Sequence, residues 1–247
     1  MKHTVLSLAF LFVCMLRVLA QEVKAEETED WTSNTKEIEP VRNGRPPSDA
    51  VVLFADRQDV VKWECIDSTA VKWDLVGNTM RAVKKAKSIQ TKQKFGSIQL
   101  HLEWQTPDSA EDRSNSRGNS GILFMGLYEL QMYESYHSTH KMYYNGIAGS
   151  IYKQYAPLVN ATLPPQQWQT YDVVFEAPQF GTDKTLKAPA YITVFLNGVL
   201  VQNHVAVKGP MIYAGYPKYT WHEARLPLML QEHDSRVSFR NIWVREL

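Results

Sequence analysis

Alternation of apolar and polar residues dominates the chain from Val51 onward and predicts β-strands. In the segment GSIQLHLEWQT, the residues Ile98, Leu100, Leu102 and Trp104 fall on one face of a strand, and polar residues fall on the other face. Other short segments rich in β-branched or aromatic residues repeat this character, among them VVLFA, QTYDVVFEA, AYITVFLNGVLVQ and SFRNIWVREL. Helical periodicity is almost absent. The pattern therefore predicts an all-β fold, a jelly-roll β-sandwich of two antiparallel sheets.

Two further features refine this sandwich. Asn197-Gly198 separates TVFL from VLVQ, and this dipeptide is the strongest short-range signal for a β-hairpin because a type I′ turn needs positive φ at both central residues. The apolar alternation also predicts which side chains pack between the two sheets. The predicted core residues are Leu100, Leu102, Trp104, Leu130 and Phe195.

The first twenty residues predict a secretory signal peptide. Lys2 and His3 precede an apolar run from Val5 to Leu16, and the small residue Ala20 ends the segment. A lipid anchor at Cys14 is the alternative, but Val13 occupies the place of the small residue expected before a lipidated cysteine. No later segment has the roughly 20 apolar residues of a membrane-spanning helix. The expected location is secreted or periplasmic, with no membrane span.

Composition divides the rest of the chain into a polar leader, 21–49, which is expected to be flexible, and one domain, 51–247. Removal of residues 1–20 takes two basic residues, which leaves 25 basic against 26 acidic residues and changes the net charge from +1 to about −1. This balance does not favour nucleic acid as a partner. Only Cys65 remains, so no internal disulfide is expected. The sequence does not indicate an oligomeric state.

The segment YELQM presents a carboxylate and an amide on one face of a predicted strand. Tyr128, Leu130 and Met132 point one way, whereas Glu129 and Gln131 point the other. Such a half-buried strand presents its polar face either to water or to a ligand held on a concave sheet. The sequence contains no GxSxG elbow, P-loop or HExxH motif.

Other polar groups precede and follow this strand at a distance in sequence. RGNSG brings a guanidinium and an amide beside two glycines, and QEHD places acids and an imidazole just before the last strand. In a jelly roll these segments can meet across a concave face. The candidate catalytic residues are Glu129, Glu134, Glu232 and His233, and the candidate substrate-binding residues are Arg117, Asn119, Gln131 and Trp221. A metal site at His137-x-x-His140 is the weaker interpretation, and a solvated loop is favoured there.

Several blocks of the chain resemble the 3-keto-disaccharide hydrolase domain family. The blocks NSGI, YELQMYES, YNGIAGSIYKQY, PPQQWQTYDVVFEAP, ITVFLNGVLVQ and LQEHDSRVSFRNIWVREL follow the family's order over about Val51 to Leu247. The resemblance implies a concanavalin-like jelly roll in an exported bacterial protein that acts on sugars. The chain departs from the family at Glu134 and Glu232, where members commonly carry Asp, so each acid reaches one methylene further. The aromatic loop YAGYPKYTWH, Tyr213 to His222, is predicted to wall the site.

The substrate class that the resemblance implies suggests a reaction. A ketone at C3 of a sugar acidifies the hydrogen at C2, so a base can remove this proton and the enolate can expel the glycosidic oxygen at C1, after which water adds. This route needs a general base and an electrophile for the enolate oxygen, and a divalent metal on the vicinal oxygens is compatible with it. No other cofactor is expected. The alternatives are a two-carboxylate glycosidase and a non-catalytic carbohydrate-binding module, for which Trp168 and Trp221 would be stacking platforms. The acids favour an enzyme.

Overall fold

The computed structural model describes residues 23–108, 117–137 and 142–247. The predicted signal peptide, 1–20, and His140 lie outside the described residues. The chain divides into two units, Met1–Glu37 and Ile38–Leu247. In the first unit, the described residues contain one 3₁₀ helix, Ala25–Thr28. Across the described ranges, no helix has the length and apolar character needed to cross a membrane.

The second unit consists of short strands, and its described helices are the short 3₁₀ helices Arg57–Lys62 and Tyr144–Gly146. The described strands, in chain order, are β1 (Val51–Phe54), β2 (Trp63–Cys65), β3 (Asp74–Val76), β4 (Thr79–Arg81), β5 (Ile89–Phe95), β6 (Ile98–Gln105), β7 (Ser120–Phe124), β8 (Tyr128–Met132), β9 (Gln169–Glu176), β10 (Gln179–Phe180), β11 (Leu186–Ala188), β12 (Tyr191–Leu196), β13 (Val199–Ala206), β14 (Leu226–Leu230) and β15 (Ser238–Glu246).

Two antiparallel sheets form the sandwich, which confirms the predicted jelly-roll class. The larger sheet has the order β13-β12-β9-β6-β15-β4-β3, with β1 also paired to β15, and the smaller sheet has the order β2-β5-β14-β7-β8. Strands β10 and β11 form a separate hairpin. Aromatic contacts join the two large sheets: the ring of Phe124 in β7 stacks on Phe175 in β9 with centroids 4.7 Å apart.

The strand β6 lies at the centre of this core as its alternation predicts. Its apolar residues, from Ile98 to Trp104, are buried at every second position, and the intervening polar residues are only partly buried. The predicted turn is also present, because Asn197 and Gly198 have φ values of 52° and 77° between β12 and β13. The cysteine Cys65 is buried and free.

The prediction that Phe195 packs in the core is wrong. Its side chain is 39% exposed, whereas its neighbours Val194 and Leu196 are buried. The register with β9 explains why Phe195 is exposed, because Phe195 lies opposite Asp172, which is on the outer face of the sheet. Both faces of β12 carry bulky apolar residues, so the composition of the strand alone does not select the buried face.

The last strand of the chain occupies the middle of the large sheet. β15 pairs with β6 along most of its length, and also with β4 and β1. The guanidinium of Arg245 donates two hydrogen bonds of 2.8 Å to the carboxylate of Asp49. Residues 38–49, the end of the predicted leader, thus belong to the larger unit.

A pair of alanine substitutions tests this assignment of the core. Leu100→Ala is expected to lower the free energy of unfolding by about 2–5 kcal/mol, because Leu100 is fully buried and its truncation leaves a cavity. Phe195→Ala is expected to cost about 1 kcal/mol or less, since Phe195 lies on the outer face. Urea denaturation of both variants measures the difference, and equal losses would contradict the register of β12.

Candidate active site

The polar face of β8 is buried. All five residues of this strand are buried, with Glu129 4% and Gln131 2% exposed, so the expectation of a half-buried strand is wrong. The segment after the third 3₁₀ turn runs along the free edge of β8. There Gln131 donates its backbone N–H to the carbonyl of Ser150 at 2.9 Å, and Tyr152 donates to the carbonyl of Glu129 at 3.2 Å. The outermost strand of the small sheet thus gains an additional neighbour.

The register of this pairing determines which side chains face each other. Leu130 and Ile151 form an antiparallel bridge, so the flanking residues Glu129 and Tyr152 lie directly opposite each other. Residues in such a pair project from the same face, with Cβ atoms about 4.5–5.5 Å apart. The phenol of Tyr152 therefore lies on the same polar face as the carboxylate of Glu129.

On the other flank of β8, the strand β7 leaves space for this carboxylate. A Cβ atom added at Gly121 would lie 2.6 Å from Oε1 of Glu129 and 3.0 Å from its Cγ. The side chain of Glu129 thus lies over the glycine, and any larger residue at this position would displace it. Gly121 also accepts the backbone N–H of Gln231 at 2.9 Å, which brings the end of β14 to the same face.

These residues surround a cleft of about 160 Å³, here called the Glu129 cleft. Its walls come from β8, from the residue just before β7 and from three other segments that are distant in sequence. The lining residues are Asn119, Glu129, Gln131, Tyr152, Met211, Tyr213, Gln231 and His233.

Burial controls the electrostatics of the Glu129 cleft. Loss of contact with water raises the pKa of Glu129 from 4.5 to about 7. Among the described residues, Oε2 of Glu129 and Oε1 of Gln131 have no hydrogen-bond partner, although Nε2 of Gln131 donates to the carbonyl of Gly146 at 3.2 Å. Unpaired buried acceptors are costly, so their presence here indicates a place where a ligand supplies the donors.

Asn119 and His233 join the cleft from opposite ends of the chain. Nδ2 of Asn119 lies 3.3 Å from Nδ1 of His233, whose ring is exposed. The structure thus brings four predicted site residues together: Asn119, Glu129, Gln131 and His233. Across the described residues, no group of three or more His, Cys, Asp or Glu side chains is arranged to hold a metal ion.

Arg117 and Glu134 form an ion pair outside the lining of the cleft. Nη2 of Arg117 donates to Oε2 of Glu134, and the backbone N–H of Glu134 donates to the carbonyl of Arg117 at 2.8 Å. The ion pair and the backbone hydrogen bond together join the residues just before β7 to the residues just after β8. The pair thereby holds the segments that carry Asn119 and Glu129.

Glu232 and Trp221 also lie outside the Glu129 cleft. The carboxylate of Glu232 accepts the backbone N–H groups of Lys85 at 3.2 Å and Asp234 at 2.8 Å, so it stabilises a turn. The indole of Trp221 is 43% exposed and carries the ammonium of Lys184 at 4.3 Å from its ring centroid.

Aromatic residues form one wall of the cleft, and the sequence predicts only part of this wall. It predicts the loop that begins with Tyr213, but it does not predict Tyr152. The ammonium of Lys153 lies 4.0 Å from the centroid of the Tyr213 ring and donates to the Tyr213 carbonyl, which fixes this loop against the 149–152 segment. The hydroxyl groups of Tyr143 and Tyr152 are 3.0 Å apart.

Comparisons with known proteins agree with this architecture. The chain is similar to a candidate glycosyl hydrolase from Parabacteroides distasonis ATCC 8503, with 39% identity, a TM-score of 0.84 and coverage of 91% of this chain and 97% of the other. A second candidate glycosyl hydrolase from the same organism shares the fold at 18% identity and a TM-score of 0.55, with coverage of 81% and 94%. No curated protein sequence matches the chain at significance.

The chain therefore shares the sandwich fold of these candidate glycosyl hydrolases. Residues 49–245 match the family described as the 3-keto-alpha-glucoside-1,2-lyase-like domain. The chain belongs to this family, as the blocks of its sequence predicted.

The pKa of Glu129 predicts a pH dependence of stability. Its carboxyl ionises near pH 4.5 in the unfolded chain and near pH 7 in the folded chain, so folding favours the protonated form. The resulting penalty is absent below pH 4.5, grows between pH 4.5 and 7, and is complete above pH 7. Glu129→Gln removes it and is expected to gain on the order of 3 kcal/mol relative to the wild type between pH 4 and pH 8.

Urea unfolding of both proteins at the two pH values measures this gain. Glu223→Gln serves as the control, because Glu223 is exposed and its substitution should produce no such pH-dependent difference. A constant difference between wild type and Glu129→Gln across the range would contradict the raised pKa.

Proposed function

We propose that the protein cleaves 3-keto glycosides, with Glu129 as the general base that removes the proton at C2. The observation that carries this proposal is a buried carboxylate with a pKa of about 7 at the floor of a polar and aromatic cleft. A base poised near the operating pH is suited to abstract a proton beside a ketone. Membership in the 3-keto-alpha-glucoside-1,2-lyase-like family supports the substrate class.

The other residues of the cleft complete this route. Oε1 of Gln131 is available to accept a hydrogen bond from a sugar hydroxyl. When Nδ2 of Asn119 donates to Nδ1 of His233, the proton of the imidazole is on Nε2, which can donate to the enolate oxygen at C3. Elimination of the group at C1 follows, and water then adds to give the hydrolysis product.

A glycosidase with two carboxylates is a weaker candidate. Such enzymes place two acids about 5–10 Å apart on either side of the scissile bond. Among the described lining residues of the cleft, Glu129 is the single carboxylate, and Glu134 is paired with Arg117. A binding module also fits poorly, because recognition of a neutral sugar gains little from a buried unpaired carboxylate, whose desolvation is costly.

We also propose that the protein acts outside the cytoplasm, in the periplasm or as a secreted enzyme. The support is the sequence pattern of residues 1–20, with its basic start, apolar run and small residue at the end. Fractionation of producing cells, with the mass of the mature N-terminus, tests this location. Full-length protein confined to the cytoplasm would contradict it.

An assay on a matched pair of substrates tests the reaction. The wild type is expected to release product from a 3-keto glucoside at least about 100-fold faster than from the unoxidised parent glucoside, because only the ketone acidifies C2. Its rate should increase with pH up to about 7 as Glu129 ionises. Chromatography measures both substrates, with and without a chelator, which also tests the need for a metal.

Glu129→Gln is expected to lower the rate on the 3-keto glucoside by about 10²–10⁴-fold, because the amide preserves the shape but accepts no proton. Glu223→Gln should retain the wild-type rate. Comparable rates of the wild type on the ketone and its parent, or full activity of Glu129→Gln, would overturn the proposal.

A further inference from the structure

The elimination proposed above requires protonation of the leaving oxygen, and no residue has yet been assigned to this step. As the C1–O bond breaks, negative charge develops on the departing glycosidic oxygen, and an alkoxide of a sugar or alcohol is a poor leaving group. A proton donor beside C1 removes this charge in the transition state. This donor must lie close to the base, because C1 and C2 are adjacent carbons.

Tyr152 lies close enough to Glu129 to act as this proton donor. The register of the 149–152 segment sets it directly opposite Glu129, and both side chains line the same cleft. Their Cβ atoms are thus about 5 Å apart, a separation from which a carboxylate and a phenol can reach neighbouring carbons of one sugar ring. The other hydroxyl-bearing side chain of the described lining, Tyr213, is on a neighbouring loop, where it is 77% exposed and is not paired with β8.

The surroundings of Tyr152 keep its proton in place and allow it to be replaced. Burial, the hydrogen bond with Tyr143 and the nearby charge of Glu129 raise the pKa of Tyr152, so the phenol is protonated before reaction. The hydroxyl of Tyr143 is 3.0 Å from that of Tyr152, and the Tyr143 side chain is 43% exposed. A path of two hydroxyl groups therefore links the cleft with solvent.

From this geometry we propose that Tyr152 is the general acid that protonates the leaving oxygen. This inference rests on the proposed function and adds a second catalytic residue to it. The base Glu129 takes the C2 proton, and the electron pair of the C–H bond forms the enolate of the C3 ketone. The enolate then restores the C3 carbonyl and forms the C1–C2 double bond, while the C1–O bond breaks and the leaving oxygen takes the proton of Tyr152.

The protons of this cycle balance when water adds. The Tyr152 phenolate removes a proton from water as its oxygen attacks C1, and protonated Glu129 returns a proton to C2. If the unsaturated sugar leaves before water adds, Tyr143 delivers a proton from solvent to Tyr152, and Glu129 loses its proton to solvent. No oxidant, reductant or other reactant is required.

Comparison of leaving groups in the Tyr152→Phe variant tests the proposal. The substrates are two 3-keto glucosides, one with a nitrophenyl group and one with a methyl group at C1. A nitrophenolate leaves without protonation, whereas a methoxide does not. Tyr152→Phe is therefore expected to lower kcat on the methyl glycoside by about 10²–10⁴-fold, and on the nitrophenyl glycoside by less than about fivefold.

Exchange of the C2 hydrogen in D₂O provides a second measurement. Tyr152→Phe should catalyse this exchange like the wild type, because Glu129 is unchanged, whereas Glu129→Gln should lose it. Tyr144→Phe is the matched control, since Tyr144 lies in the same loop as Tyr143, is 81% exposed and does not line the cleft. It should retain wild-type rates on both substrates.

The possible outcomes separate this inference from the proposed function. Equal losses on the two leaving groups, or wild-type rates of Tyr152→Phe on both, would overturn the role of Tyr152 while leaving Glu129 as the base. Loss of C2 exchange in a folded Tyr152→Phe variant would also overturn it, because the residue would then act on the base. Absence of wild-type activity on either 3-keto glucoside would instead refute the proposed function.

Discussion

Three backbone hydrogen bonds between β8 and the 149–152 segment determine the chemistry of the cleft. Two join Gln131 to Ser150 and Gly149, one joins Tyr152 to Glu129, and together they convert the exposed edge of the small sheet into an interior position. The backbone groups of β8 are satisfied by this pairing, so its polar side chains can be buried without an unpaired main chain. A slip of one residue would turn Tyr152 to the other face and separate the phenol from the carboxylate.

The free-energy cost of burying polar groups in the cleft arises mainly from Glu129. A carboxylate at 4% exposure with an unpaired oxygen is unfavourable, and the neighbouring Gly121 provides no side chain that would stabilise either strand. The remainder of the sandwich is a continuous apolar core, from Leu53 near the start of the domain to Val244 near its end. This core tolerates a local penalty at the cleft, which is a common relation between stability and function in enzymes.

The sequence predicted the strands more successfully than their contacts. Alternation identified the buried face of β6 and placed Glu129 and Gln131 on one face, because a strand directs successive side chains to opposite sides. It failed for Phe195, since the register with β9 selects the buried face of β12. It did not identify Tyr152, because the pairing of 149–152 with β8 is a tertiary contact without a strand-like pattern. Nor did it show that the carboxylate of Glu232 is used by nearby backbone N–H groups.

The central location of β15 has a consequence for how the chain acquires its structure. This strand follows the other described strands along the chain, yet it separates β6 from β4 and β1 in the middle of the large sheet. Its ion pair from Arg245 to Asp49 spans almost the entire domain in sequence. During translation, the large sheet therefore cannot close until residues 238–246 have been synthesised. Long-range contacts of this kind favour slow folding, and deletion of residues 238–246 would remove the strand that holds both halves of the sheet together.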